Sequence, residues 1–152
     1  MRTTAPSGRH SACRRFFQLA VLTASVGLVL AAEQTPFASL AKLAAALSES
    51  DSDTALEYFD SRMKSYSEIE QKLEALTGQA EVSCAIDIVT DVEAADVHKL
   101  DLDWFMQLKP QADDSQLERR RERVQVEMRQ FKGVWKITSI SPISILNPLH
   151  IH

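Results

Sequence analysis

The sequence has few of the residues that cross-link or bend a small protein. Its 152 residues include two cysteines and four glycines. It contains neither a phosphate loop, nor a glycine-rich nucleotide fingerprint, nor the strand–turn–helix serine motif of hydrolases. These absences argue against a nucleotide-binding protein or a serine hydrolase of the common types. We expect no cofactor.

Acidic residues are missing from the first 32 positions, although the whole chain contains 21. This stretch has a basic head with four arginines, and an apolar run from Phe16 to Ala32 that ends in small residues. Such a pattern is typical of an export signal, here residues 1–32, cleaved near Ala32 or Glu33. We therefore expect an exported protein, either periplasmic or extracellular.

Two properties of this signal stay open. Arg14-Arg15 followed by Phe17 resembles a twin-arginine signal, which carries a folded cargo, and an ordinary signal with chance arginines fits equally well. A membrane anchor is the other alternative, because the apolar run of 17 residues is near the lower limit for a membrane span. Polar side chains inside the run favour cleavage.

The chain after the signal is about 120 residues long, which suits a single domain. It carries 13 basic and 21 acidic residues, a net charge of −8. Nucleic acid and anionic membrane surfaces are poor partners for such a charge. Only Cys84 remains, so no intramolecular disulfide can form and the domain must be stabilised by its core.

Periodicity predicts helices first and strands afterwards. Apolar residues with helical spacing occur around 40–47 and 56–63, and a third helix starts with the capping box Ser65-x-x-Glu68. Four segments alternate as strands, namely 82–89, 98–108, 117–131 and 134–143. The turn Lys132-Gly133 pairs Phe131 with Val134 and Met128 with Ile137. The sequence predicts an α+β fold, with three N-terminal helices packed on an antiparallel sheet of about four strands.

Three strand segments resemble a known superfamily. They are Leu100-Asp101-Leu102-Asp103-Trp104, Arg123-Val124-Gln125-Val126-Glu127 and Gly133-Val134-Trp135-Lys136-Ile137. Together with the element order, they resemble the nuclear transport factor 2-like superfamily, which includes SnoaL-like and ketosteroid-isomerase-like proteins, over residues 37–146. The last residues, 147–152, form a tail.

This resemblance implies a cone-shaped fold, in which a curved sheet wraps the helices and leaves a pocket lined by the apolar face. Many members of the superfamily act on apolar or polyketide-like small molecules. Several others work as dimers through the outer face of the sheet. The expected partners are therefore a small apolar ligand or a second copy of the chain, with neither nucleic acid nor, after signal cleavage, a membrane.

His98 and Glu122 are the candidate catalytic residues. His98 shares the apolar face of the second strand, and the predicted register places it in one row with Ile88, Val126 and Ser139. An imidazole in that row can act as a base or donate a hydrogen bond. Glu122 continues the apolar face of the third strand and can rim the pocket. The alternative for both residues is a partly solvent-exposed side chain with a purely structural role.

The candidate ligand contacts are mostly aromatic or apolar. They are Tyr58, Tyr66, Trp104, Met128, Trp135 and Ser139. Core packing is the alternative for the tryptophans, and edge-of-core packing for the tyrosines. His150 and His152 alternate at the C-terminus, but no cysteine or carboxylate spacing supports a metal site there.

Three functions stay open at this point. The first is an exported pocket protein that binds a small apolar ligand. The second is a small dehydratase or isomerase that uses His98 with Glu122, although Asp87, Asp101 and Asp103 all lie on the charged face, unlike the base of ketosteroid isomerase. The third is a module that dimerises or docks through the outer sheet face. A sealed pocket would favour the docking or dimerising module. An open pocket in which His98 and Glu122 converge would favour the enzyme.

Overall fold

The computed structural model describes residues 34–112 and 116–149. The predicted export signal and the pair His150 and His152 lie outside the described residues. None of the described helices has the length and apolar character needed to cross a bilayer.

Three helices open the described chain, as the periodicity predicts. They are α1 (Pro36–Ser48), α2 (Ser52–Leu56) and α3 (Tyr66–Gln79). Thr35 caps α1 by accepting a hydrogen bond from the Ala38 amide at 3.1 Å, and Asp51 caps α2 in the same way. Ser65 precedes α3 without a side-chain cap, so the predicted capping box is wrong although the helix starts where expected.

A four-stranded antiparallel sheet follows, in the spatial order β1-β2-β3-β4. The strands are β1 (Ala80–Ala94), β2 (Val97–Pro110), β3 (Glu118–Phe131) and β4 (Val134–Ser141), and a short 3₁₀ turn spans Ser144–Leu146. The predicted α+β order of three helices and four strands is confirmed.

The β3–β4 hairpin has the predicted register. Phe131 pairs with Val134, Gln130 with Trp135, and Met128 with Ile137. Lys132 and Gly133 both adopt positive φ, 49° and 83°, which is the backbone of the tight turns that suit twisted hairpins. The turn and the apolar pattern therefore specify the same pairing.

Both edge strands contain a β-bulge that the alternation did not predict. Val89 is the extra residue in β1, between the pairs Ile88–Leu102 and Thr90–Asp101. Thr138 is the extra residue in β4, between Ile137 and Ser139. A bulge shifts every later side chain of its strand to the other face.

The predicted row of Ile88, His98, Val126 and Ser139 is wrong, because β2 pairs with both neighbours in another register and Thr138 adds a residue to β4. His98 pairs with Glu93 on one side and Met128 on the other. Ser139 pairs with Glu127 and is exposed on the outer face, while Ile140 takes the inner position beside Val126. The bulge at Thr138 accounts for the Ser139 error, whereas the position of His98 depends on strand registers that alternation leaves undetermined in steps of two residues.

The helices cover the inner face of the sheet, and that face is core. Trp104, Met106, Val124 and Met128 are fully buried there. They pack in one cluster with apolar residues of the helices, such as Leu43, Leu73 and Leu76, and with Ile145 and Leu146 of the 3₁₀ turn. Large side chains thus occupy the region where the resemblance implied a pocket.

The sheet is extended beyond its β4 edge by the chain between α2 and α3. The Ile137 amide donates to the Tyr58 carbonyl and the Asp60 amide donates to the Ile137 carbonyl, both at 2.8 Å. Phe59 thereby forms a parallel bridge to Ile137 and is buried. This contact anchors the helical layer to the edge of the sheet that lies farthest from β1.

Candidate functional site

His98 is held by a carboxylate at the start of β2. Its Nδ1 lies 2.8 Å from Asp91 Oδ1 and 3.0 Å from Asp91 Oδ2. The other ring nitrogen, Nε2, is 3.9 Å from Glu93 Oε1, which is beyond hydrogen-bonding distance. The carboxylate therefore orients the imidazole through one nitrogen, and the side chain keeps 12% of its surface exposed.

Trp135 forms the wall of this site. Its indole contacts the imidazole of His98 edge-on, with ring centroids 4.7 Å apart and planes inclined by 83°. Such edge-to-face geometry is favourable for aromatic pairs. Trp135 is half-buried, so the site combines an apolar aromatic surface with a polar ring that still reaches solvent.

The Val89 bulge explains how Asp91 reaches His98. Continued alternation from Ile88 would place Asp91 on the outer face, and the extra residue moves it to the inner face, across from Leu100. Continued alternation therefore does not identify Asp91 as a partner of His98. The only available signal was the break in alternation at Val89-Thr90.

Glu122 does not join His98. It pairs with Trp104, whereas His98 pairs with Met128, six residues further along β3 or about 20 Å. Glu122 Oε2 instead accepts a hydrogen bond from Ser144 Oγ at 2.9 Å. The structure therefore separates the two candidate catalytic residues along the strand direction of the sheet.

The segment after β4 is fastened next to Glu122 by Arg120. The guanidinium of Arg120 donates to the carbonyls of Ile145, Asn147 and Pro148, and pairs with Glu118 at 2.6 Å. These contacts hold the 3₁₀ turn against β3. At this end of the sheet the polar side chains of β3 thus hold the segment that follows β4 in place.

Trp104 and Met128 lie in the core, away from solvent. Trp104 Nε1 donates to Cys84 Sγ at 3.1 Å, which satisfies the buried indole. Burial raises the pKa of the Cys84 thiol to about 12, against a smaller opposing effect of that hydrogen bond. Neither Trp104 nor Met128 has surface that a ligand can reach in this conformation.

The two candidate tyrosines lie on the helical side. Tyr58 lines a cleft of about 380 Å³ together with Gln34, Glu57, Val134 and Lys136. Partial burial, and secondarily the negative charge of Glu57, raises the pKa of Tyr58. Tyr66, at the start of α3, is half-buried, and burial followed by the charge of Glu70 raises its pKa. The structure does not bring Tyr66 or Tyr58 into contact with His98.

No protein-family profile and no curated protein matches the chain. Solved structures do match it. A candidate scytalone dehydratase from Novosphingobium aromaticivorans aligns with a TM-score of 0.59 at 10% identity, over 67% of this chain and 76% of its own. A ketosteroid isomerase-like protein from Erwinia carotovora atroseptica aligns with a TM-score of 0.56 at 12% identity, over 68% of this chain and 88% of its own.

A third structure has a different stated role. It is a candidate calcium/calmodulin-dependent protein kinase II association domain from Xanthomonas campestris, with a TM-score of 0.54 at 12% identity, over 70% of this chain and 86% of its own. At such identities these likenesses show the fold alone. They confirm the cone-shaped architecture that the sequence resembles.

Proposed function

Because the chain has the nuclear transport factor 2-like fold, we propose that it binds a small apolar molecule carrying a hydroxyl or similar donor, at the end of the sheet where His98 meets Trp135. One observation carries the proposal. Asp91 holds the imidazole through Nδ1 while Nε2 is left without a close carboxylate beside an aromatic wall.

The chemistry of this arrangement follows from the tautomer that Asp91 favours. A carboxylate accepts a hydrogen bond from Nδ1–H, so Nε2 of a neutral imidazole becomes the acceptor. A ligand hydroxyl can donate to Nε2 while its apolar body contacts Trp135. The buried inner face beyond Met128 supplies no further room, so binding here needs a compact ligand.

An NMR titration of the purified protein with 2-naphthol tests this proposal. We expect shifts of the His98 imidazole and Trp135 indole signals, and a loss of affinity of about fivefold or more in His98→Ala and in Trp135→Leu, equal to about 1 kcal/mol. Asp96→Asn is the matched control, because Asp96 lies in the adjacent turn and pairs with Arg129 instead. Equal losses in the control, or an unresponsive His98, would contradict the proposal.

A dehydratase or isomerase activity is the enzymatic form of this proposal, with Asp91 replacing Glu122 as the partner of His98. An imidazole oriented by a carboxylate is suited to general-base catalysis. In that case Asp91→Asn should reduce kcat far more than it weakens binding, because the variant disturbs the tautomer and leaves Trp135 intact. Equal effects on turnover and binding would assign Asp91 to binding alone.

We also propose that residues 1–32 direct export and are then removed. The basic head, the apolar run and the lack of acidic residues support this. The intact mass of the exported protein should correspond to a start near Ala32 or Glu33. A full-length species retained in the membrane would contradict cleavage, and export that survives Arg14→Lys with Arg15→Lys would exclude the twin-arginine route.

Self-association through the outer sheet face is a second candidate function, favoured by the distribution of charge. On that face β1 and β2 carry Glu81, Asp87, Asp101 and Asp103, whereas β3 carries Arg119, Arg121, Arg123 and Arg129. A second copy stacked face to face, related by a twofold axis that runs parallel to the strands between the two outer faces, would place β2 over β3 and so acidic side chains over basic ones. The packed interior and the fold shared with the Xanthomonas association domain agree with this candidate.

Sedimentation velocity at low and high salt tests self-association. A dimer held by these charges should weaken as salt rises, and Arg121→Glu with Arg123→Glu should abolish it. Arg62→Glu is the control, because Arg62 is exposed in the connection between α2 and α3. A monomer at every salt concentration and at high protein concentration would remove this candidate.

A further inference from the structure

The outer face of the sheet contains a groove of about 420 Å³ that crosses all four strands. Two neighbouring rows of paired residues line it. One row is Thr90, Asp101, Gln125 and Ser141, and the other is Val92, Lys99, Glu127 and Ser139. This groove lies on the opposite face of the sheet from His98.

The two bulges create this groove. Val89 and Thr138 lie on the two edge strands immediately beside it, and each shifts the following residues by one position. Without them Thr90 and Ser139 would point toward the core. Thr138 Oγ1 donates to the Glu127 carbonyl at 3.2 Å, which fixes the bulge in β4 at the level of the groove. Bulges that re-aim side chains are over-represented next to functional sites.

The polar groups of the groove are arranged as interleaved donors and acceptors. Asp101 Oδ2 accepts a hydrogen bond from Thr90 Oγ1 at 2.8 Å, and this contact orients the carboxylate. Lys99 Nζ lies 3.5 Å from Glu127 Oε1. Gln125, Ser139 and Ser141 are exposed and add an amide and two hydroxyls. A ligand in the groove therefore meets acceptors and donors in alternation.

An apolar contact completes the groove at the β1 edge. Val92 is 59% exposed and presents its apolar side chain there. The floor is formed at Leu100 and Val126, whose side chains point into the core. A ligand with one apolar face and many polar groups would use both features.

We infer that this groove binds a neutral saccharide or polyol. Each hydroxyl of such a ligand is both donor and acceptor, which matches the mixed set of amide, hydroxyl and carboxylate groups. Two carboxylates, Asp101 and Glu127, face one amine, Lys99, so phosphorylated or carboxylated ligands are disfavoured. An apolar ligand would bury the carboxylates without replacing their hydrogen bonds to water.

Amide chemical-shift titration of the purified protein with maltose and with cellobiose tests the inference. We expect shifts confined to the residues of the two rows with at least one of the disaccharides, and none at His98. Asp101→Asn and Gln125→Ala should each weaken binding about fivefold or more, the scale of one lost hydrogen bond. Asp103→Asn should leave the affinity unchanged, because Asp103 lies two residues along the same strand and pairs with Arg121 outside the groove.

Four outcomes would overturn the inference. The first is the absence of groove shifts with both disaccharides. The second is an equal loss of affinity in Asp103→Asn and Asp101→Asn. The third is tighter binding of spermidine or glucose 6-phosphate than of either disaccharide, which would assign the groove to a charged ligand. The fourth is a shift of the same amides on concentrating the protein alone, which would assign the groove to a second copy. His98→Ala affects none of these results, so the groove and the proposed His98 site fail or succeed separately.

Discussion

Trp104 and Trp135 have different roles although both lie on the inner face of the sheet. The first is fully buried and donates its indole N–H to Cys84, whereas the second is half-buried and contacts His98. Alternation places both on the apolar face but says nothing about how far the helices reach. The extent of the helical layer decides which tryptophan is core and which is available to a ligand.

This difference predicts unequal effects on stability. Trp104→Ala should lower the free energy of unfolding by about 3–5 kcal/mol, because it leaves a cavity in a packed core. Trp135→Ala should cost clearly less, because part of the indole already contacts water. Denaturant melts of the two variants measure the difference. The opposite order would mean that the core lies nearer Trp135 and that the proposed binding wall is a structural element.

At the scale of elements, the sequence predicted strands and the hairpin correctly because each depends on local signals. The pairing of Met128 with Ile137 follows from the turn Lys132-Gly133 and from the alternation of the flanking strands. The two bulges have weaker signals, since one extra residue is compatible with almost any side chain. The Val89 bulge brings Asp91 to His98 and the Thr138 bulge turns Ser139 outward, so continued alternation places both residues on the wrong face.

The two described glycines give a matched pair of predictions for their elements. Gly133→Ala should destabilise by about 1 kcal/mol, because φ is 83°. An added Cβ would meet no atom within 4 Å beyond the adjoining residues, so the cost comes from the backbone alone. Gly78→Ala, on the exposed side of α3, should stabilise by up to about 1 kcal/mol through helix propensity. Thermal melts compare them. Stabilisation by Gly133→Ala would contradict the assigned turn.

The whole molecule combines a packed interior with polar features at its surfaces. Its helices, sheet and 3₁₀ turn share one apolar cluster, so a pocket between helices and sheet, as the resemblance implies, would require displacement of core side chains. The composition of the chain indicated a stable core without a disulfide, and alternation indicated which face forms it. How completely that core is filled depends on side-chain volumes across all three helices, all four strands and the 3₁₀ turn, which no local pattern reports.

Acid should destabilise the whole domain, through carboxylates on its helical and sheet layers. The pKa of Asp51 is lowered by hydrogen bonds from Thr54, that of Asp60 by Arg62, and that of Asp103 by Arg121. A carboxylate with a lowered folded-state pKa contributes stability above its unfolded pKa of about 4, and this contribution is lost as the pH falls through the folded value. The melting temperature should therefore fall between about pH 5 and pH 3.

The triple variant Asp51→Asn, Asp60→Asn and Asp103→Asn tests the origin of this loss. Asparagine is isosteric and remains a good N-cap, so the α2 cap is kept while all three titrations are removed. The melting temperature of the variant should start lower at pH 7 and then decline less steeply toward pH 3 than that of the unmodified protein. Circular dichroism melts along a pH series measure both slopes. Parallel declines would mean that other carboxylates cause the acid sensitivity, and that these three pairs matter little to the folded domain.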